Sequence, residues 1–154
     1  MSRALVVAVL LAATSSACTS TRYRLDPYDH DQNKARAMSD DAVRRCAERR
    51  GPNDLPPVPF TSDGCSSWPD GSWWSCCLDH DVVYWCGGTC HDRSEADAAL
   101  RTCVARRAPR GMGTLMWVGV RPGGTPYSPF PWRWAYGWKG VRGYDVPQRP
   151  ASHP

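Results

Sequence analysis

Apolar positions are spaced unevenly along this chain, and their spacing predicts a few helices set among irregular segments. Between Ser39 and Arg50 they recur thinly, at Ala42, Val43, Cys46 and Ala47. That fits one face of a short helix, which Ser39 can cap and Gly51-Pro52 stops. Pro52 to Phe60 holds four prolines and predicts no regular element. Thr61 to Gly71 (TSDGCSSWPDG) reads as a turn-rich loop. The densest apolar stretch follows, from about Ser72 to Cys86. Trp73, Trp74, Leu78, Val82, Val83 and Trp85 surround a polar His80-Asp81 step, so a mostly buried helix is predicted, ended by Gly87-Gly88. A second long helix is predicted from about Arg93 to Ala108, capped by Asp92 with Glu95 three residues on, and stopped by Pro109. Its inward side includes Ala96, Leu100, Cys103 and Val104, with Asp97 at the edge of that face. From Arg110 onward glycine, proline and tryptophan dominate; no strong helix is predicted there, and at most a short strand from Thr114 to Val120. The fold class is therefore mainly α.

The N-terminus sets the context for the cysteines. Met1-Ser2-Arg3 is a short positive start, Ala4 to Ala13 a short apolar run, and small residues precede Cys18, so residues 1–17 are expected to be an export signal. Cys18 resembles the acylated cysteine of a bacterial lipobox, although Ser15 stands where that pattern has leucine; ordinary cleavage after Ala17 is the alternative. The expected organisation is a signal peptide (1–17), a polar tether (18–36), a helical domain (37–108) and a Gly/Pro/Trp-rich C-terminal extension (109–154). The expected location is outside the cytoplasm, anchored to the cell envelope through Cys18 or secreted. In an oxidising compartment most of the eight cysteines should form disulfides, which suits a chain with fourteen prolines and thirteen glycines. The net charge of +4 is mild and spread out, which argues against a nucleic-acid partner.

Candidate chemistry concentrates in Cys76-Cys77-Leu78-Asp79-His80-Asp81-Val82-Val83-Tyr84-Trp85. On a helix Cys77, His80 and Tyr84 share one side, and Asp81 lies about 100° round from His80. Two antiparallel helices joined by a short Gly-Gly turn would bring His80 and Asp97 face to face. A carboxylate on one ring nitrogen fixes the tautomer and stabilises the protonated ring, leaving the other nitrogen to take a proton from water. Asp81, pointing elsewhere, can join Asp63 and loop carbonyls around a hard cation, and oxygen ligands favour calcium. Plainer readings stand beside these. His80 can be a satisfied core histidine, Asp97 a solvated helix-edge carboxylate, Asp63 an Asp-Gly turn former, and Tyr84 ordinary packing. Cys76, Cys77, His80, Cys86, Cys90 and His91 can also be read as a zinc cluster, and Cys86 to His91 brushes against a haem-attachment pattern, with one residue too many between its cysteines.

The run from Cys76 to Tyr84 resembles the catalytic-helix signature of secreted phospholipase A2, Cys-Cys-x-x-His-Asp-x-x-Tyr, and Asp63-Gly64-Cys65-Ser66-Ser67-Trp68-Pro69-Asp70 resembles the calcium loop of the prokaryotic branch. The likeness covers about Thr61 to Val104, less than a third of the chain. It implies a phospholipase A2-like core of two antiparallel, disulfide-linked helices that hydrolyses the sn-2 ester of glycerophospholipids with calcium, at a phospholipid membrane surface. It implies His80 as general base, Tyr84 and Asp97 as the groups holding it, and Asp63, the Gly64 carbonyl and Asp81 as calcium ligands. It also implies the pairs Cys65–Cys77 and Cys76–Cys103. Val83 and Ala96 stand where animal members carry a further pair. Cys46, Cys86 and Cys90 are then left, with Cys86–Cys90 one candidate pair. The glycine-rich loop of animal members is absent, and nothing from Gly111 onward matches. The alternative function is an inactive module of the same fold that binds lipid or protein at the cell envelope. Trp117, Trp132, Trp134 and Trp138 with Arg133, Lys139 and Arg142 either form a lipid-surface patch or cover the small core, and the second is expected.

Overall fold

The computed structural model describes residues 31–129, 135–138 and 143–146; the expected signal peptide and Cys18 lie outside them, as do Trp132, Arg133, Trp134, Lys139 and Arg142. Four helices account for the regular structure among those residues: α1 (Gln32–Arg50), α2 (Trp74–Cys86), α3 (Cys90–Ala105) and α4 (Met112–Gly123). The molecule is mainly helical, as the hydrophobic pattern predicts.

α1 starts seven residues before the expected Ser39, within the stretch read as a tether. Asp31 is its cap, accepting from the backbone N–H groups of Asn33 and Lys34 at 3.1 Å each. The early turns bury no residue fully; Ala35 and Met38, only partly buried, continue the face of Ala42 and Cys46 as a faint apolar period. Later turns bury Ala42 and Cys46 against Phe60, Val82, Trp85 and Cys86, and Arg45 reaches Asp79 of α2 at 2.8 Å.

α2 is the central element, with buried residues on several sides: Cys76, Cys77, His80, Asp81, Val82, Tyr84, Trp85 and Cys86. It begins at Trp74, two residues past the expected Ser72, and ends where Gly87 takes a left-handed φ of 76°. α3 then starts at Cys90, earlier than expected, because Thr89 is the cap and not Asp92. The Thr89 hydroxyl accepts from the Asp92 N–H, and the Asp92 carboxylate accepts from the Thr89 N–H at 2.7 Å, which closes a capping box. Glu95 instead faces His91 at 3.3 Å. α3 ends at Ala105, and a turn at Arg106–Ala108 leads to Pro109.

α4 replaces the strand expected over Thr114–Val120. Its buried and partly buried positions, Met112, Gly113, Met116, Trp117 and Val120, fall three and four apart, which is a helical period. Gly113 is where the helix meets α3: a Cβ there would lie 2.4 Å from the Arg101 carbonyl oxygen, so a larger residue would push the helices apart. The stretch after residue 109 is thus not wholly irregular, since its first helix packs into the core.

Among the described residues three disulfides fix this arrangement. Cys65–Cys77 ties the loop to α2, and Cys76–Cys103 ties the start of α2 to the end of α3, so the two helices run antiparallel. The third is Cys46–Cys86, not Cys86–Cys90. Cys46 sits on the buried face of α1 against the end of α2, whereas Cys90 opens α3 beyond the Gly-Gly turn, exposed and with a free thiol. Trp85 donates to the Val58 carbonyl at 2.9 Å and holds the proline-rich segment. Trp138 donates to the Cys86 carbonyl at 3.0 Å, and Trp117 lies 5.5 Å from the Arg101 guanidinium. Among the described residues no helix is long and apolar enough to cross a membrane.

Candidate active site

The antiparallel pairing of α2 with α3 brings His80 against Asp97. His80 Nε2 is 2.9 Å from Asp97 Oδ1, and the Tyr84 hydroxyl donates to the same oxygen at 2.7 Å. Both donors come from one side of α2, a turn apart, as residues four apart must. Asp97 is fully buried, at 0% exposure, so it is not a solvated edge carboxylate. Burial alone would raise its pKa. The hydrogen bonds and charge of His80, Tyr84 and Arg121 outweigh that, and Asp97 is held below its ordinary value of 3.8. Burial and the neighbouring Asp97 charge push the Tyr84 hydroxyl well above its usual range, so it remains a neutral donor.

Two arginines complete the carboxylate's surroundings, and the sequence reading assigned neither a role. Arg121 Nη1, from α4, donates to Asp97 Oδ2 at 2.7 Å. Arg93 Nε, one turn before Asp97 in α3, is 3.8 Å from Oδ2 and donates to the Tyr84 hydroxyl at 3.1 Å. Burial works against the Arg93 charge, but Tyr84, Tyr144 and Asp97 hold its pKa above the ordinary value. The four-residue step from Arg93 to Asp97 was a usable signal. Arg121 had none, because it lies on the helix that the sequence disguised.

A cavity of about 230 Å³ opens beside His80. The loop residues Gly64 to Trp68 line one side and Met116, Gly119, Val120 and Gly123 of α4 another, with His80, Asp81, Tyr84 and Leu100 also in the wall. With Nε2 engaged by Asp97, any further hydrogen bond of the ring would go through Nδ1. His80 is 8% exposed, enough to reach a bound group and little enough to be sheltered from bulk water.

Asp81 is 4% exposed and accepts from the hydroxyl of Ser62, whose oxygen in turn accepts from the Gly64 N–H at 3.0 Å. Ser62 thus joins the loop to the helix, another contact that sequence reasoning missed; its signal is a serine two residues before a glycine N–H in a turn. Asp63 turns to the Ser66 hydroxyl and does not line the cavity, while Gly64 does. Ser67 holds a left-handed φ of 63° in the same loop, a conformation rare outside glycine. The side-chain oxygens that meet here are the Asp81 carboxylate and the Ser62 hydroxyl, and oxygen groups are the kind a hard cation such as calcium takes. Among the described residues no group of three or more His, Cys, Asp or Glu side chains stands together to hold a metal. A cation at this loop would therefore draw on backbone and water oxygens as well. The zinc and haem readings fail, because Cys76, Cys77 and Cys86 are all disulfide-bonded.

No protein-family model, curated protein or solved structure matches this chain. What the site does must be read from its own chemistry.

Proposed function

We propose that this protein is a phospholipase A2-like hydrolase that cleaves the sn-2 ester of glycerophospholipids with calcium at a membrane surface. The observation that carries the reading is the buried His80–Asp97–Tyr84 group, with its hydrogen bonds at 2.9 and 2.7 Å, set in the wall of a cavity that Asp81 also lines. Asp97 keeps a proton on Nε2, so Nδ1 accepts. His80 takes a proton from water, the water oxygen attacks the ester carbonyl, and the ring then returns the proton to the departing alkoxide. Asp97, held charged, stabilises the imidazolium between those steps. Tyr84 fixes the carboxylate and remains protonated. Leu100, Met116 and Val120 exclude water from one side of the cavity and suit an acyl chain. Calcium, when bound by Asp81, Asp63 and the Gly64 carbonyl, would polarise the ester and favour negative charge on its oxygen.

One observation favours a second reading, an inactive module of the same fold that binds lipid or protein. Asp63 is engaged by Ser66 and is absent from the cavity wall. If the loop keeps that turn, calcium has one fewer ligand.

The deciding experiment is fatty-acid release from mixed phospholipid vesicles by the purified, disulfide-bonded protein, with calcium and with a chelator, beside His80→Ala. Calcium-dependent release that the substitution abolishes is expected. A folded protein that releases nothing would move the assignment to the binding module.

A further inference from the structure

We infer that Arg121 is a positioning residue of the His80–Asp97 pair: by holding the far oxygen of the carboxylate from α4, it keeps the near oxygen on the histidine. This rests on the reading of His80 as a base. It goes beyond that reading by making α4, part of the expected extension, a component of the site.

A carboxylate held through one oxygen can turn about its Cβ–Cγ bond, a broad two-fold torsion. Asp97 Oδ1 already serves two donors, His80 at 2.9 Å and Tyr84 at 2.7 Å. Oδ2 is held by Arg121 at 2.7 Å. Arg93 stands farther from Oδ2, at 3.8 Å, and its hydrogen bonds go elsewhere: to the Tyr84 hydroxyl, the Tyr144 hydroxyl, and the carbonyls of Val120 and Arg121. The two arginines therefore have separate tasks. Arg93 reaches from α3 to grip the backbone end of α4, and Arg121 reaches back from that end to Asp97. The packing around them is close, since a Cβ on Gly124 would lie 2.5 Å from the Tyr84 hydroxyl oxygen. That closeness sets where the Arg121 side chain starts and allows it to reach a fully buried carboxylate while itself 34% exposed.

A purely structural Arg121, one that only balances a buried charge, would affect stability and leave turnover per folded molecule alone. Positioning predicts something else. In the full protein with calcium and vesicles, Arg121→Gln should lower kcat about tenfold or more with KM little changed, because a small misplacement at a reacting group is costly. Arg121→Lys, which keeps the charge but not the planar fork, should fall between. The second readout is the nitrogen spectrum of the His80 ring. A single tautomer with the proton on Nε2 is expected in the wild type, and a mixture of tautomers in Arg121→Gln. Unchanged kcat and unchanged ring signals in Arg121→Gln would overturn the assignment. Should that variant not fold, Arg121→Lys decides by the same two readouts. If the wild type itself releases no fatty acid, the functional reading fails by itself and the ring spectra still decide: a shift toward mixed tautomers upholds Arg121's role, and identical spectra remove it.

Discussion

The two halves of the candidate site are built on different principles. The base half is fixed by the fold: His80 and Tyr84 come from one helix, Asp97 from its antiparallel neighbour, Arg121 from a third, and Cys76–Cys103 links the first two. The loop half is attached to α2 through Cys65–Cys77. Asp63 is bonded to Ser66 three residues away, and Asp81 meets the loop through Ser62. The lesson is that the His80–Asp97–Tyr84 group is already assembled by its helices, whereas Asp63 and Asp81 hold hydroxyl partners that a cation would have to displace or join. Under the proposed function, rigid helices suit the first half because tautomer and distance would have to be right before a substrate arrives.

The sharpest break to this contrast is removal of the base. His80→Ala should cut fatty-acid release by roughly a hundred- to ten-thousandfold per folded molecule, the usual weight of a general base, and should also lower the melting temperature, because the buried Asp97 loses one of its donors. Residual calcium-dependent activity above a hundredth of wild type would mean that the base half is not where the proton goes.

The disulfides come next, and they separate structure from chemistry. In the chain-entropy account, removing Cys46–Cys86, with a sequence separation of 40, costs about 4 kcal/mol, and removing Cys76–Cys103, with a separation of 27, about 3.5 kcal/mol. Denaturant unfolding should find the two paired Cys→Ala variants similar in stability. Their activity per folded molecule should differ, because only Cys76–Cys103 joins the helices that carry His80 and Asp97. Equal activities would show that the helix packing alone holds the pair.

This contrast also explains what was legible in the sequence. The meeting of His80 with Asp97 follows from a 3.6-residue period on two helices and a two-glycine turn, all local features. Arg121 was hidden because α4 buries glycine and methionine while Leu115 and Val118 stay exposed, so its apolar residues mark no clean face. Cys46–Cys86 was hidden because its partners are brought together by packing of α1 on α2, and cysteine spacing carries no record of that. The early start of α1 was faint for another reason: among its first turns only the partly buried Ala35 and Met38 continue the face of Ala42 and Cys46, and the rest of the signal is the Asp31 cap. Thr89 and Asp92 both fit a cap, and only the closed box distinguishes them.

The loop half is tested by calcium itself. If calcium binds the folded state alone, stability should rise by about 2.7 kcal/mol at a hundred times the dissociation constant. Thermal unfolding with calcium against chelator should show this in the wild type. The rise should vanish in Asp81→Asn, whose charge faces the cavity, and shrink in Asp63→Ala. A full calcium response in Asp81→Asn would place the cation elsewhere. No response in the wild type would favour the binding module.

The smallest effect concerns the charge on Asp97. Its folded pKa is depressed below the ordinary 3.8: burial opposes the charge, but the bonds from His80, Tyr84 and Arg121 prevail. A carboxyl whose folded pKa lies below its unfolded one contributes stability that is fully present above the unfolded value and is lost as pH falls through the folded one. The contribution should therefore be intact at neutral pH and fade only below about 3.8. The carboxyl carbon shift of Asp97, followed by NMR during acid titration, reads this directly. A midpoint below 3.8 is expected. In Arg121→Gln one of the three supporting bonds is gone, so the midpoint should move upward, toward what burial alone would impose. A midpoint above 3.8 in the wild type would mean that burial outweighs the donors and that Asp97 is not the secure anion the base half requires.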